Sequence, residues 1–297
     1  MRKSIAIIIT SILVLSGCNK QQSVSDRLLN EVEKAIAINP DSASNLLKSI
    51  SSPEKLDDKA FARWCMLSGK ITDEIFNSIL PTYQLERAYD WYSSHGSPDE
   101  QVQILIYLGR SYFADGDYDK AMSIYTNALD IAGKNKLNNL IGYTYDYIGD
   151  LYREKFMRTE AIKRYEIAAE YFKKEKNTDS YACALRDIGR EYAQMDSLSH
   201  ALNILIIANS VAANTSNINV TASINNALGN IYSMQNKYDK AEEYLLKALL
   251  TGREKMPDYV ALIDLYTASN SINKAKELLS KIPQDLSLIH IYEPTRH

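Results

Sequence analysis

Asp146 and Asp150 stand four residues apart, so on a helix their carboxylates project from one face. Such a pair does acid-base chemistry only if one member is desolvated and tuned away from its ordinary pKa. An open helical surface leaves both hydrated, and hydration is the expectation here. The histidines offer no stronger constellation. His290 and His297 lie at the C-terminal end, His95 in a Ser-His-Gly stretch reads as a turn residue, and His200 beside Ala201 reads as a polar residue at a helix start. Cys65 and Cys183 fall within helical patterns, where a thiol behaves as a small hydrophobe. The chain has no phosphate-binding glycine loop, dinucleotide fingerprint, His-Glu-x-x-His or Cys-x-x-Cys. These residues predict a non-enzyme with no cofactor and no metal.

Cys18 carries a different chemistry. Arg2 and Lys3 precede an apolar run from Ile5 to Leu15, long enough for an export signal and too short to span a bilayer. The run closes in Leu15-Ser16-Gly17-Cys18, which resembles the bacterial lipobox. The resemblance implies a signal peptide over 1–17, acylation of Cys18 with palmitate-type chains, and Cys18 as the mature N-terminus. Each buried methylene contributes roughly 0.8 kcal/mol, so several chains would hold the protein on a membrane without spanning it. The polar stretch over 18–24 reads as a tether. The expected location is the cell envelope, facing the periplasm or on the outer membrane. The alternative is a plain signal peptide with an incidental Cys.

Composition narrows the remaining classes. Of 297 residues 45% are hydrophobic and 24% charged, enough apolar material for a large core. A net charge of -3 provides no basic excess to neutralise a phosphate backbone, which disfavours nucleic-acid binding. The 21 Tyr against 5 Phe suit helices that pack rings at their seams and keep hydroxyls near water.

The elements that position these residues follow from a repeat. Gly109, Gly149, Gly189 and Gly229 recur at intervals of 40, each followed three residues later by Tyr112, Tyr152, Tyr192 or Tyr232. Twelve residues after each Gly stands Ala121, Ala161, Ala201 or Ala241, and seven further Ala128, Ala168, Ala208 or Ala248. Between the two alanines lie Tyr125, Tyr165, Leu205 and Leu245. Small residues that let two antiparallel helices approach, with large residues filling the seam, resemble the tetratricopeptide repeat. The resemblance implies an all-α, right-handed superhelical solenoid of helix pairs. Its repeats would start near 102, 142, 182, 222 and 256 and occupy 102–285, with divergent helical repeats over 25–101.

Asp115-Gly116-Asp117 and Asn236-Lys237 read as turns within pairs, and Gly133-Lys134-Asn135-Lys136 as a turn between pairs. Pro40 and Pro81 read as breaks in the upstream segments. Residues 286–297 look like the in-frame translation of a sequencing adapter, which would make the tail an artefact and the gene truncated. The alternative is a genuine C-terminal tail.

In the tetratricopeptide family, first-helix positions outside the packing signature line a concave groove. By that resemblance the peptide-binding residues are Arg110 and Phe113, then Tyr143, Asp146, Asp150 and Arg153, then Arg186 and Arg190, and finally Asn226 and Asn230. They form an acidic band flanked by arginines, suited to a protein or peptide partner carrying both charge signs. The function implied is a lipid-anchored scaffold or adaptor. Two alternatives stay open: the sensory ectodomain of a signalling protein, and a carbohydrate-capturing lipoprotein on a helical scaffold. Trp64 and Trp91 fall in helical segments, whereas carbohydrate platforms favour long loops.

Overall fold

The computed structural model describes residues 25–75, 79–253 and 255–282. Cys18, the leader expected over 1–17, the tether expected over 18–24 and the adapter-like tail at 286–297 lie outside the described residues. Among the described residues the regular structure is entirely helical, and no helix is long and apolar enough to cross a membrane. The chain divides at residues 140 and 141 into two compact units.

The first unit contains α1 (residues 25–36), α2 (Pro40–Lys48), α3 (Asp58–Ile75), α4 (Thr82–His95), α5 (Pro98–Ala114) and α6 (Tyr118–Asn135). Pro40 opens α2 at its first turn, where a missing N–H costs nothing, and the Asn39 side chain accepts from the Ser42 N–H at 3.0 Å. Ser97 and Glu100 form a reciprocal capping box at the start of α5. Leu29, Val32, Ala43, Leu47, Leu67 and Ile71 join α1, α2 and α3 in one core. Phe61, Cys65, Leu85, Ala88, Tyr92 and Ile104 join α3, α4 and α5 in another. His95 is the last residue of α4, not a loop residue: its Nδ1 lies 3.0 Å from the Trp91 carbonyl and its ring stacks on Trp91.

The second unit takes in most of α7 (Asn138–Glu154), followed by α8 (Arg158–Lys174), α9 (Thr178–Gln194), α10 (Leu198–Ala212), α11 (Ile218–Met234), α12 (Tyr238–Thr251), α13 (Met256–Ala268) and α14 (Ile272–Lys281). The 17-residue helices α7 and α8, with a three-residue turn after each, account for the 40-residue period. Connections this short make successive helices antiparallel neighbours.

One turn recurs throughout. The N–H of Asp117, Met157, Ser197, Lys237 and Ser271 donates to the carbonyl of Tyr112, Tyr152, Tyr192, Tyr232 and Tyr266 respectively, at 2.7–2.9 Å. The residue before each donor is left-handed: Gly116, Phe156, Asp196, Asn236 and Asn270, with φ from +55° to +79°. This is the Schellman closure, which satisfies the last carbonyls of the helix. Between pairs, Lys136 and Lys176 play the left-handed part. Gly133, expected in that turn, lies inside α6 with open space where a Cβ would stand; the turn falls three residues later because α6 continues to Asn135.

The signature residues form the seam inside each pair. A Cβ on Gly149 would stand 2.5 Å from the Tyr165 ring, and on Gly189 or Gly229 it would stand 2.8 Å or 2.5 Å from Leu205 or Leu245. Gly109 faces Tyr125 in the same way. Ala121, Ala161, Ala201 and Ala241 have no exposed surface. Helix-to-helix contact this close leaves room for the large partner only because the Cβ is missing. Tyr165 itself is fully buried, and burying a ring of this kind stabilises by about 1.5–3 kcal/mol.

Candidate functional site

The stripe on α7 begins with Tyr143, whose hydroxyl accepts from Ser180 Oγ at 2.9 Å and Asn177 Nδ2 at 3.1 Å, both beside or on α9. Tyr143 is thereby committed to the next helix pair. Arg186 on α9 repeats the arrangement one pair later: its guanidinium bonds Asp187 at 2.7 and 3.0 Å and donates to Ser223 Oγ on α11 at 3.0 Å. Asn226 on α11 is buried and donates to Asp258 Oδ1 on α13 at 2.7 Å, while Asn230 is exposed and donates to Asn226 Oδ1 at 3.0 Å. These cross-helix bonds make a polar ladder along one side of the second unit. Three residues assigned to ligand contact, Tyr143, Arg186 and Asn226, thus hold the scaffold together.

Asp150 lies deeper than the sequence suggests. It accepts from Tyr165 Oη at 2.7 Å and pairs with Arg153 at 2.9 Å, and Arg153 also donates to the Tyr165 hydroxyl at 3.2 Å. Asp146 Oδ1 is shielded from solvent and has no hydrogen-bond partner among the described residues. Burial, then the nearby charges of Asp150 and Asp187, push the Asp146 carboxyl well above the usual carboxylate range. The hydrated carboxylate pair expected from the sequence is therefore corrected. The reason is that α9 lies against this face of α7 and brings Asp187 with it. Asp187 is also buried, but Arg186 holds its carboxyl below the ordinary range against the cost of that burial.

Two cations of the cluster keep substantial exposure, with 42% of the Arg190 side chain and 39% of the Arg153 side chain open to solvent. The nearest paired oxygen to Arg190 is Asp187 Oδ1 at 3.5 Å. Beside this cluster Arg158 bonds the buried Glu191 at 3.0 Å, a pair that joins α8 to α9. Cys183 Sγ stands 3.8 Å from the Arg186 guanidinium, and burial pushes its thiol up.

In the first unit, Arg110 pairs with Asp73 on α3 and keeps 17% of its side chain exposed. Phe113 is half-buried and packs against Tyr118, ring centroids 5.5 Å apart. Sequence reasoning missed Asp187, Glu191 and Asp258. One signal was available: Tyr165 stands where later pairs have Leu205 and Leu245, and a hydroxyl in an apolar seam needs a polar partner. Among the described residues no three His, Cys, Asp or Glu side chains gather as a metal-ligating group. What the cluster offers is opposite charges fixed at known places along a helical face.

Known proteins supply the comparison. Two tetratricopeptide-repeat models match the chain, over residues 105–138 and 221–256, which correspond to α5 with α6 and α11 with α12. The chain carries tetratricopeptide repeats. A curated relative, photosystem I assembly protein Ycf3 of Rippkaea orientalis, is 32% identical over 91 residues. That match covers 30% of this chain, which spans about half (52%) of the relative's length. Among solved structures, a Rap protein complexed with Competence and Sporulation Factor superposes with a TM-score of 0.70 at 19% identity, covering 85% of this chain and 73% of that one. BtubC from P. vanneervenii superposes with a TM-score of 0.59 at 18% identity, covering 73% and 93%. At such identities these likenesses describe the fold, a solenoid of tetratricopeptide-like helix pairs.

Proposed function

We propose that the chain is a binding scaffold that recruits a protein or peptide partner along the first-helix face of its repeats, tethered to the bacterial envelope through an acylated Cys18. The observation that carries the recruiting role is the face of α7, α9 and α11. Its cross-helix bonds hold a mixed-charge surface rigid, with Arg153 and Arg190 presented to solvent. A surface fixed before binding loses little entropy when a ligand arrives. The Rap protein solved with Competence and Sporulation Factor supports such a role for this fold. The lipobox-like Leu15-Ser16-Gly17-Cys18 supports the tether.

Site-specific photocrosslinking tests the recruiting role. A crosslinker at position 190 should yield a discrete adduct in cells, whereas one at the exposed position 163 on α8 should not. Equal labelling from both, or from neither, overturns the reading. The tether is tested separately by metabolic labelling with a palmitate analogue, which should mark the protein and fail to mark Cys18→Ala.

A further inference from the structure

In the first unit α4, α5 and α6 border an open groove of about 370 Å³, lined by Glu86, Tyr89 and Asp90 from α4, Leu108 and Tyr112 from α5, and Ile124 from α6. Its volume falls within the about 300–1,000 Å³ typical of ligand clefts. Spacings of three and four residues put the α4 trio on one face of its helix, and Leu108 with Tyr112 on one face of α5. Leu108 is buried, and Tyr89, Tyr112 and Ile124 pack against the same core, so the floor is apolar. Both phenol groups are tied: Tyr112 Oη donates to Glu86 Oε1, and Tyr89 Oη accepts from Asn127 Nδ2 at 3.2 Å. That leaves Glu86 Oε2 and the whole Asp90 carboxylate with no hydrogen bond or ion pair among the described residues, and both residues are exposed. No basic side chain lines the groove. The nearby Lys120 ammonium, 5.1 Å from the Tyr112 ring centre, is engaged by Asp117 at 3.2 Å.

We propose that this groove seats a lysine side chain of a partner protein, at a site independent of the face formed by α7, α9 and α11. Carboxylate oxygens left unpaired on one wall call for a cation, and tyrosine rings beside them attract an ammonium through their π-faces. Lys120 already holds its ammonium over the Tyr112 ring. The apolar floor selects a cation carried on a methylene stem. Lysine meets that demand, laying its stem along Leu108 and Ile124 while the charged head stays with the carboxylates and water. Glu86 and Asp90 stand one helical turn apart, about 5–6 Å at their Cβ atoms. A compact head with three rotatable donors can serve both acids, whereas the planar arginine fork matches a single carboxylate.

Fluorescein-labelled hexalysine, titrated with the full chain at low salt and followed by fluorescence anisotropy, should bind and lose affinity as salt rises. Asp90→Asn should weaken binding about 3- to 5-fold, the scale of an exposed charge pair, and Tyr89→Leu, which keeps the apolar contact and removes the ring face, about 2- to 5-fold. Glu170→Gln, an equal change of charge at an exposed position on α8, should bind as the wild type does. Asp90 is exposed and its carboxylate makes no internal bond, so its variant should fold, as circular dichroism would show. Should it not fold, Glu86→Gln replaces it in the comparison. No binding of hexalysine, equal weakening by Asp90→Asn and Glu170→Gln, or undiminished binding of fully acetylated hexalysine overturns the seat. Hexaarginine binding as tightly as hexalysine overturns the choice of lysine. None of these results bears on crosslinking from position 190, so the recruiting face stands or falls separately.

Discussion

Replacing Gly149 by alanine sets two physical effects against each other at a fully enclosed position. Alanine is a better helix former than glycine by about 1 kcal/mol, so on propensity alone the variant should be more stable. The added Cβ, however, would stand 2.5, 2.7 and 2.9 Å from three carbons of the Tyr165 ring. Carbon atoms are at ease near about 3.5–4.0 Å, so the ring must retreat by about 1 Å. Tyr165 is fully buried and its hydroxyl is held at 2.7 Å by Asp150 and 3.2 Å by Arg153, which oppose that retreat. Overpacking costs about 1–3 kcal/mol, and a lengthened hydrogen bond to a charged group forfeits part of its about 1.5–3 kcal/mol. The expected net loss is about 2 kcal/mol, a fall in Tm of about 4–8 °C for a unit of this size, read by far-UV circular dichroism. In a Tyr165→Phe background the ring is untethered, and the penalty of Gly149→Ala should shrink. An unchanged or raised Tm in the single variant would refute the close-contact account of the seam.

Other expectations can be tested on the same chain. Asp146→Asn should raise Tm near neutrality and lose that advantage as pH falls to about 4, the ordinary carboxylate pKa of the unfolded chain. The reason is that the folded state, whose Asp146 carboxyl is pushed up, holds its proton to higher pH than the unfolded chain, so this group costs stability as pH rises. A less stable variant near neutrality contradicts the assignment. Tyr165→Phe should destabilise by about 1–2 kcal/mol in urea melts, because the hydroxyl bonded to Asp150 and Arg153 is lost from a buried position. Asp258→Ala should cost about 1–3 kcal/mol by stranding the buried Asn226 amide, and amide exchange should quicken first in α13 and α14.

The seam was legible because it repeats. Gly149 and Tyr165 declare each other through three further pairs at the same offset, and helical period does the rest. The turns were partly legible: Gly116 announces a left-handed residue, but Phe156 in the equivalent place gives no such signal, and only the repeat register exposes it. The polar ladder was not legible, because its bonds join residues such as Tyr143 with Ser180 and Arg186 with Ser223, 37 apart in the chain. That separation differs from the 40-residue period, so aligning the repeats does not pair these residues. The state of Asp146 depends on Asp187, a carboxylate set among packing positions of another helix. Helical patterning places both on their helices and says nothing of their shared desolvation.

The left-handed residues at 156, 196 and 236 mark equivalent points on the backbone, one full helix pair apart. A 40-residue cassette cut between two of them ends in the same closed turn with which it begins, whatever side chain sits there. The stretch behaves as interchangeable segments: lengthening or shortening by one whole cassette preserves the phase of every glycine against its seam partner, while a change of a few residues inside a helix rotates those partners apart. Chains built this way should vary in length by complete cassettes, making reach a property that can change without redesigning the packing.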